Sequence, residues 1–189
     1  MNLYGIVMAG GQGTRFWPES TAKKPKQYLA LAGETSLLTQ SLERFEGLIP
    51  SERRYVVTVK AQEELAKQHS KNNIAKNGLI FEPAGRNTAP CILLAIAALV
   101  VEGAKLDDVV CIVPSDHVIL NENGFRKTVE IATIEASKQQ RIVTIGIVPT
   151  FPHTGYGYIQ KAELQGEAFS VKQFKEKQNQ EPAKIFIET

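Results

Sequence analysis

The residues best suited to chemistry lie in one short stretch near the start of the chain. After the apolar run LYGIV, the sequence reads MAGGQGTRFWPESTAKKPKQY, residues 8–28. Gly10, Gly11 and Gly13 lack a Cβ, so backbone N–H groups can approach a ligand closely there. Arg15 adds a guanidinium to the same stretch. Accessible backbone amides next to a cation favour the binding of a phosphate chain.

Two familiar phosphate-binding motifs do not fit this glycine stretch. The dinucleotide fingerprint that begins at Gly11 and Gly13 needs a third glycine where the sequence has Phe16. The Walker motif needs Gly-Lys-Ser or Gly-Lys-Thr, and neither tripeptide follows. A glycine cluster by itself also fits a plain tight turn between a strand and a helix.

The basic side chains near the glycines favour a phosphate-binding site over a plain turn. The guanidinium of Arg15 can hold oxygens in a bidentate manner, and Lys26, after the rigid Pro25, supplies a second cation. Lys23 and Lys24 are more typical of a solvated surface. We therefore interpret the stretch as a phosphate-binding loop with Arg15 and Lys26 as its working cations.

A carboxylate, Asp116, ends a second apolar run, DVVCIVPSDH. A carboxylate at the end of such a strand does not contribute to packing of the apolar core. Open α/β sheets, however, bind ligands at the carboxyl ends of their strands. An Asx turn that ends the strand is the alternative. His117 would point to the opposite face if the strand continued, so we do not count it as a ligand.

The elements that must position these residues alternate between short apolar runs and longer amphipathic ones. The sequence predicts strands over residues 3–9, 54–60, 79–82, 108–117 and 141–148, and helices over residues 35–48, 61–72, 88–102 and 124–139. Thr88 could cap the third helix, with Pro90 in its first turn. Two later segments, GYGYIQKA and AFSVKQFKEK, favour antiparallel or mixed-sheet additions. The fold class predicted is α/β, with a doubly wound, mostly parallel, Rossmann-like sheet in one domain over residues 1–189.

Composition excludes several classes of protein. Hydrophobic residues make up 43% and charged residues 22%, with a formal net charge of +2, which is too small to indicate nucleic acid or an anionic membrane as the main partner. The longest apolar run, APCILLAIAALVV, is shorter than the ~20 residues of a membrane span. The first residues lack the basic region of a signal peptide. Cys91 and Cys111 lie in apolar runs without metal-ligand spacing, so we expect reduced core thiols in a cytoplasmic protein.

Five motifs in order give a more specific interpretation. GGQGTRFWPESTAKKPKQY, FEPAGRNTAP, PSDH, TGYGYI and FKEK together resemble the signature of sugar-phosphate nucleotidylyltransferases. The Trp-Pro pair after the arginine and the PKQ tripeptide resemble the mannose-1-phosphate guanylyltransferase branch. The resemblance covers nearly the whole chain. It implies a nucleotide-diphospho-sugar transferase fold and a reaction in which GTP and mannose 1-phosphate give GDP-mannose and pyrophosphate.

The resemblance also implies a role for each candidate residue. Arg15 and Lys26 would stabilise the transferring phosphates, and Asp116 would be both a catalytic residue and a ligand of Mg²⁺. The nucleotide would be bound by Ala9, Gly10, Gly11, Gly13, Thr14, Glu82, Arg86 and Asn87. For the last three of these, which lie near the base in the resembled family, helix capping and loop bracing are the alternatives. The sugar phosphate would be bound by Gly157, Glu176 and Lys177, although Gln178 stands where the family usually has proline.

Sequences that resemble this one usually continue past residue 189. The later part supplies a second acidic metal ligand and part of the sugar pocket, so we expect an N-terminal portion with an incomplete metal site and weak or no turnover alone. The alternatives are the same chemistry with another nucleoside triphosphate or hexose 1-phosphate, and a non-catalytic module that binds nucleotide sugars. We expect no nucleic-acid or membrane partner, and a homo-oligomer is left open.

Overall fold

A four-stranded parallel sheet forms the centre of the first of two compact units, Met1–Thr133 and Ile134–Thr189. The structure, a computed structural model, describes residues 1–11, 17–21, 23–139, 141–177 and 179–188. The strands of the first unit are β1 (Leu3–Met8), β2 (Arg54–Val59), β3 (Leu79–Glu82) and β4 (Val109–Pro114).

The order of these strands is β3-β2-β1-β4, and all neighbours are parallel. The chain runs outward from β1 through β2 to β3, and then returns to place β4 on the other side of β1. Ile6 of β1 therefore lies beside Tyr55 of β2 and Ile112 of β4. The direction of winding reverses between β1 and β4, which is the position at which open α/β sheets bind their ligands.

Helices cover both faces of this sheet because its strands are apolar on both faces. They are α1 (Leu37–Glu43), α2 (Glu63–Ser70), α3 (Thr88–Val101) and α4 (Glu122–Gln139). On one face Val7 and Val56 pack with Leu42, Phe45 and Ala66 of the segments around α1 and α2. Full burial of each large apolar side chain contributes about 1.5–3 kcal/mol.

The opposite face of the sheet is covered by α3. Ile6 and Val57 pack there against Cys91, Ala95 and Leu99, three buried residues at the i, i+4 and i+8 positions of the helix. The strand residues of the two faces alternate along β1 and β2, as the two-residue period of a strand requires. The carboxyl ends of all four strands consequently meet at one edge between two helical layers.

The second unit contains an antiparallel hairpin and a helix. Strands β5 (Tyr158–Gln165) and β6 (Ala168–Lys175) pair with each other, and Gly166 at their turn has a φ of +67°. A helix, α5 (Gln180–Glu188), follows the hairpin. The aromatic rings of Tyr158 and Phe186 pack against each other, with their centroids 5.5 Å apart.

The predicted fold class is confirmed, including the doubly wound parallel sheet and the antiparallel addition. The predicted strand over residues 141–148 is wrong, since residues 141–149 lie outside every strand and helix. Ile142, Ile147 and Val148 are largely exposed there. Their side chains suit a strand, but a strand also needs a neighbour for its N–H and C=O groups, and no described strand pairs with this segment. The sequence also did not predict α5.

Among the described residues, none of the helices is both long enough and apolar enough to cross a bilayer.

Candidate functional site

The candidate site is built on the carboxyl edge of the parallel sheet, at the reversal between β1 and β4. Ala9, the first residue after β1, is buried, and its N–H donates to the carbonyl of Val57 over 2.7 Å. On the other side, the N–H of Ser115 donates to the carbonyl of Met8 over 3.1 Å. These backbone bonds carry the pairing one residue beyond the strands. They fix the start of the glycine turn and the position of Asp116 on the same edge.

Lys26 and Asp116, 90 residues apart in sequence, form an ion pair at this edge. The ammonium Nζ of Lys26 donates to Oδ2 of Asp116, and the two side chains are 20% and 30% exposed. The lysine lies in the segment after the glycine turn and the carboxylate follows β4, so the pair bridges the reversal point. The structure thus brings together two of the three residues that the sequence predicts to be catalytic.

The third predicted catalytic residue, Arg15, lies outside the described residues. The same holds for Gly13 and Thr14, which the sequence predicts to contact the nucleotide. Of the nucleotide-binding residues predicted within the glycine stretch, the structure therefore describes Ala9, Gly10 and Gly11.

The buried side chain of Gln27 donates hydrogen bonds to two carbonyl groups of this turn. Its amide Nε2 donates to the carbonyl of Ala9 over 2.8 Å and to the carbonyl of Gly11 over 3.0 Å. The side chain of Gln27 is only 1% exposed. One buried amide group therefore connects the segment after the turn to two backbone positions within it.

Three further polar side chains complete this buried cluster. The hydroxyl of Thr58 donates to the carbonyl of Ala9 over 3.0 Å, and Oε1 of Gln62 accepts from Gln27 over 2.9 Å and from the hydroxyl of Tyr28 over 3.1 Å. Burial raises the pKa of Tyr28, so its hydroxyl remains a donor at neutral pH. Among the described residues, every side-chain nitrogen or oxygen atom that is fully shielded from solvent has a hydrogen-bond partner.

Glu82 brings a carboxylate to the glycine turn from the end of β3. A Cβ built on Gly10 would lie 2.7 Å from Oε2 of Glu82, so any other residue at position 10 would require this carboxylate to move. The residue is 7% exposed, and no described residue donates a hydrogen bond to its carboxylate, which is not fully shielded from solvent. Burial raises the pKa of Glu82 and, together with the charge of Glu82, raises the pKa of the Cys91 thiol to about 11. A buried carboxylate without a donor is well placed to accept hydrogen bonds from a ligand.

Arg86 and Asn87 lie on the exposed loop between β3 and α3. The N-cap of α3 is Asn87, with φ +66° and ψ −172°, and it makes no side-chain cap hydrogen bond. The predicted cap at Thr88 is therefore wrong by one residue, because Thr88 is already helical. A non-glycine residue with this backbone conformation is strained by about 1–3 kcal/mol. Helix capping does not account for the side chain of Asn87.

The three residues predicted to contact the sugar phosphate lie in the second unit and are brought together there. A Cβ on Gly157 would lie 2.8 Å from the carbonyl oxygen of Lys175 and 4.0 Å from the Cα of Glu176. Lys177 is the next residue after Glu176, in the exposed segment beyond β6. The close approach gives Gly157 a structural reason as well, since any side chain there would meet the backbone of β6.

The sequence did not reveal the buried residues whose hydrogen bonds hold the backbone of the site in place. They include Gln27, Thr58 and Gln62, and also Arg44, which is 2% exposed and whose Nη2 donates to the carbonyl of His117. Arg44 thereby anchors the residue that follows Asp116. A polar residue inside the motif PKQY was visible in the sequence, but nothing there indicated that the glutamine amide turns into the core.

Asp116 is the carboxylate that the sequence predicts to bind Mg²⁺. Among the described residues, no group of three His, Cys, Asp or Glu side chains could hold a metal ion. Mg²⁺ keeps several waters and is commonly bound by one or two carboxylates together with substrate phosphates. Asp116, partly exposed and on the same edge of the sheet as the glycine turn, has the chemistry of one such carboxylate.

Comparisons with known proteins agree with this geometry. A family model described as nucleotidyl transferase matches residues 4–189. A mannose-1-phosphate guanylyltransferase of Escherichia coli strain K12 is 39% identical over 190 residues, which cover 98% of this chain and 40% of the relative. A Pseudomonas aeruginosa relative, the alginate biosynthesis protein AlgA, is 37% identical over 96% of this chain and 38% of its own length.

Solved structures give the same fold over the full chain. A structure described as mannose-1-phosphate geranyltransferase from Thermus thermophilus is 34% identical, with a TM-score of 0.89, and the match covers 100% of this chain and 54% of that one. This chain spans about 40% of the length of the curated relatives that it matches. The family expected from the five motifs is confirmed.

Proposed function

Because the chain belongs to the nucleotidyl transferase family, we propose that it transfers a guanylyl group from GTP to α-D-mannose 1-phosphate. The products are GDP-mannose and pyrophosphate. A phosphate oxygen of mannose 1-phosphate attacks the α-phosphorus of GTP, and the bond from that phosphorus to the bridging oxygen of the β-phosphate breaks. The pyrophosphate leaves with the electron pair of the broken bond, so no other reactant is needed.

One observation carries this proposal. The Lys26–Asp116 pair places an ammonium and a carboxylate beside a glycine turn, at the reversal point of a parallel sheet. The reaction joins two anions, so its main requirements are to screen their repulsion and to align the attacking oxygen. A cation and a carboxylate suited to a metal meet those requirements, whereas a site that only bound a sugar would need neither.

Lys26 and Arg15 are the proposed cations for the phosphate chain. Lys26 would offset the charge that develops on the leaving phosphates, and the backbone amides of the glycine turn would bind the same chain. Asp116 would hold Mg²⁺, which supplies charge neutralisation between the two substrates when bound. When the Lys26–Asp116 pair separates, the Lys26 ammonium would bind phosphate oxygens and the Asp116 carboxylate would bind Mg²⁺.

The choice of base is proposed to rest on Glu82. Guanine presents N1–H and N2–H donors along one edge, and the buried carboxylate of Glu82 lacks a described donor. Adenine presents an acceptor at N1 and would oppose that carboxylate. Arg86 and Asn87 would contact the nucleotide from the neighbouring loop, and Gly157, Glu176 and Lys177 would contact the mannose 1-phosphate.

Binding of nucleotide sugars tests this proposal without depending on turnover. Isothermal titration calorimetry would compare GDP-mannose with GDP-glucose, UDP-glucose and dTDP-glucose. We expect GDP-mannose to bind most tightly, with the affinity reduced at least about tenfold in Glu82→Gln. Tighter binding of UDP-glucose or dTDP-glucose would replace the proposed substrates with another base. Equal binding of GDP-mannose and GDP-glucose would contradict the choice of mannose.

A turnover assay separates an enzyme from a non-catalytic binding module. Pyrophosphate and GDP-mannose would be measured after incubation with GTP, mannose 1-phosphate and Mg²⁺. Formation of both products that is lost in Asp116→Asn supports catalysis by this chain. Tight GDP-mannose binding, with no product even from a longer protein that contains this chain, would favour the binding module.

A further inference from the structure

A cluster of buried polar side chains lies against the carbonyl groups of the glycine turn. The Gln27 amide carries two hydrogens and faces three oxygens within 3.0 Å, those of Ala9, Gly11 and Gln62. The orientation of this amide is therefore fixed, because the reversed group would place its own oxygen against three acceptors.

The neighbouring hydroxyl groups complete the hydrogen bonding of these acceptors. Thr58 donates to the carbonyl of Ala9, and Tyr28 donates to Oε1 of Gln62. The side chains of Gln27, Thr58 and Tyr28 are all at most 2% exposed. Each of the three oxygens that the Gln27 amide faces therefore accepts at least one hydrogen bond, and such buried hydrogen bonds restrict the movement of the groups that make them.

The consequence for the glycine turn follows from the planarity of the peptide bond. In a trans peptide the N–H points away from the C=O of the same unit. When Gln27 and Thr58 draw the carbonyl of Ala9 into the core, the N–H of Gly10 is turned to the opposite side. A backbone amide that faces away from the core can donate to an anion.

We propose that Gln27 is a positioning residue for the phosphate chain of the nucleotide, and that Gln62 keeps its amide in the working orientation. Gln27 fixes the carbonyls of Ala9 and Gly11, so that the amide of Gly10 is presented to the phosphates before the ligand arrives. This inference rests on the proposed function, because it assigns the ligand of the turn to a nucleoside triphosphate. Gln27 touches the turn and not the reacting atoms.

A second glutamine provides a matched control. The Nε2 of Gln40 donates to the carbonyls of Ala32 and Thr35, each over 2.8 Å. Gln40→Met therefore removes an amide that also holds two loop carbonyls, but at a loop that precedes α1. Gln27→Met removes the corresponding bonds beneath the glycine turn with nearly the same change of volume.

The experiment compares the affinity for GTP with the affinity for guanosine, which has the base but no phosphates. Both are measured by calorimetry with Mg²⁺ for the wild type, Gln27→Met and Gln40→Met, at a temperature where thermal melts show each protein folded. We expect Gln27→Met to weaken GTP about tenfold or more and to leave guanosine within about twofold, since one charge-assisted hydrogen bond corresponds to at least that factor. Gln40→Met should leave both affinities unchanged.

A merely structural role would give a different result. If Gln27→Met weakens GTP and guanosine by the same factor, or changes only the melting temperature, the positioning role is wrong. If Gln27→Met does not fold, Thr58→Val serves instead, because it removes only the hydroxyl that supports the Ala9 carbonyl. It should weaken GTP and not guanosine, by a smaller factor, and an equal effect on both ligands would overturn the inference.

The proposed function and this inference can fail separately. If the wild type binds ATP or UTP more tightly than GTP, the choice of guanine is wrong. The affinity for the preferred triphosphate is then compared with the affinity for its nucleoside. If Gln27→Met leaves the ratio of these two affinities unchanged, the positioning role is wrong whichever base is preferred. A wild type that binds no nucleoside triphosphate overturns both.

Discussion

The Lys26–Asp116 ion pair should contribute measurable energy to folding, because it is only partly exposed. A double-mutant cycle with Lys26→Met, Asp116→Asn and the combined variant isolates that contribution. Each single change removes the ion pair and leaves the other charge of the pair at the edge of the sheet. The double variant removes both charges, so it should be less destabilised than the sum of the two single variants.

The size of the coupling follows from the exposure of the two side chains, 20% and 30%. Fully exposed pairs contribute about 0.2–1 kcal/mol, whereas breaking a buried pair costs about 3–5 kcal/mol. The Lys26–Asp116 pair lies between these limits, and we expect a coupling energy of about 1–2 kcal/mol at low salt. Salt should reduce it only in part, because the partly buried pair is incompletely screened.

Urea unfolding of the four proteins at low and high salt measures this coupling. Trp17 is the only tryptophan of the chain and is 78% exposed, so circular dichroism is the better probe of the fold. Additive effects, with a coupling below about 0.3 kcal/mol, would refute the inference that the pair is preformed, since that is the usual error of additivity. A coupling that vanishes entirely at high salt would show that the pair behaves as a surface pair.

Three further predictions concern single side chains. Glu82→Gln should raise the free energy of unfolding at pH 7, because burial raises the pKa of the carboxyl and so disfavours its ionised form in the fold. The difference in unfolding free energy between this variant and the wild type should shrink as the pH falls through the folded-state pKa. A difference that does not depend on pH would contradict the prediction. Cys91 and Cys111, whose pKa values burial raises to about 11 and about 12, should react with a thiol reagent at pH 8 far more slowly in the folded protein than in urea, and equal rates would contradict their burial. Gly157→Ala should destabilise the protein by about 1–3 kcal/mol because its Cβ would meet a backbone carbonyl of β6, whereas Gly146→Ala, with open space at the Cβ, should cost little in the same thermal melts.

The elements that carry the glycine turn were predictable because their signals are local. The run LYGIV predicted β1, and glycines directly after a strand predicted a turn open to a ligand. Asp116 could be assigned to the same edge because the carboxyl ends of parallel strands meet. Glu82 was a candidate for base contact by resemblance, but its approach to Gly10 depends on the order β3-β2-β1, which no local pattern reveals.

The supporting residues could not be predicted for a related reason. Gln27, Thr58 and Gln62 come from three segments, and their hydrogen bonds are set by side-chain directions in the folded core. The segment over residues 141–148 shows the opposite failure. Its β-branched side chains favour a strand, but pairing depends on a neighbour that the local sequence does not specify.

The central claim is that the edge formed by β1, β3 and β4 binds the triphosphate and base of GTP. It is tested most directly by calorimetric titration of the chain with GTP, ATP, UTP and dTTP, each with Mg²⁺. GTP should bind at least about tenfold more tightly than ATP, and Lys26→Met should weaken all four through their shared phosphates. Binding of ATP as tight as that of GTP, or an unchanged GTP affinity in Lys26→Met, would contradict the account.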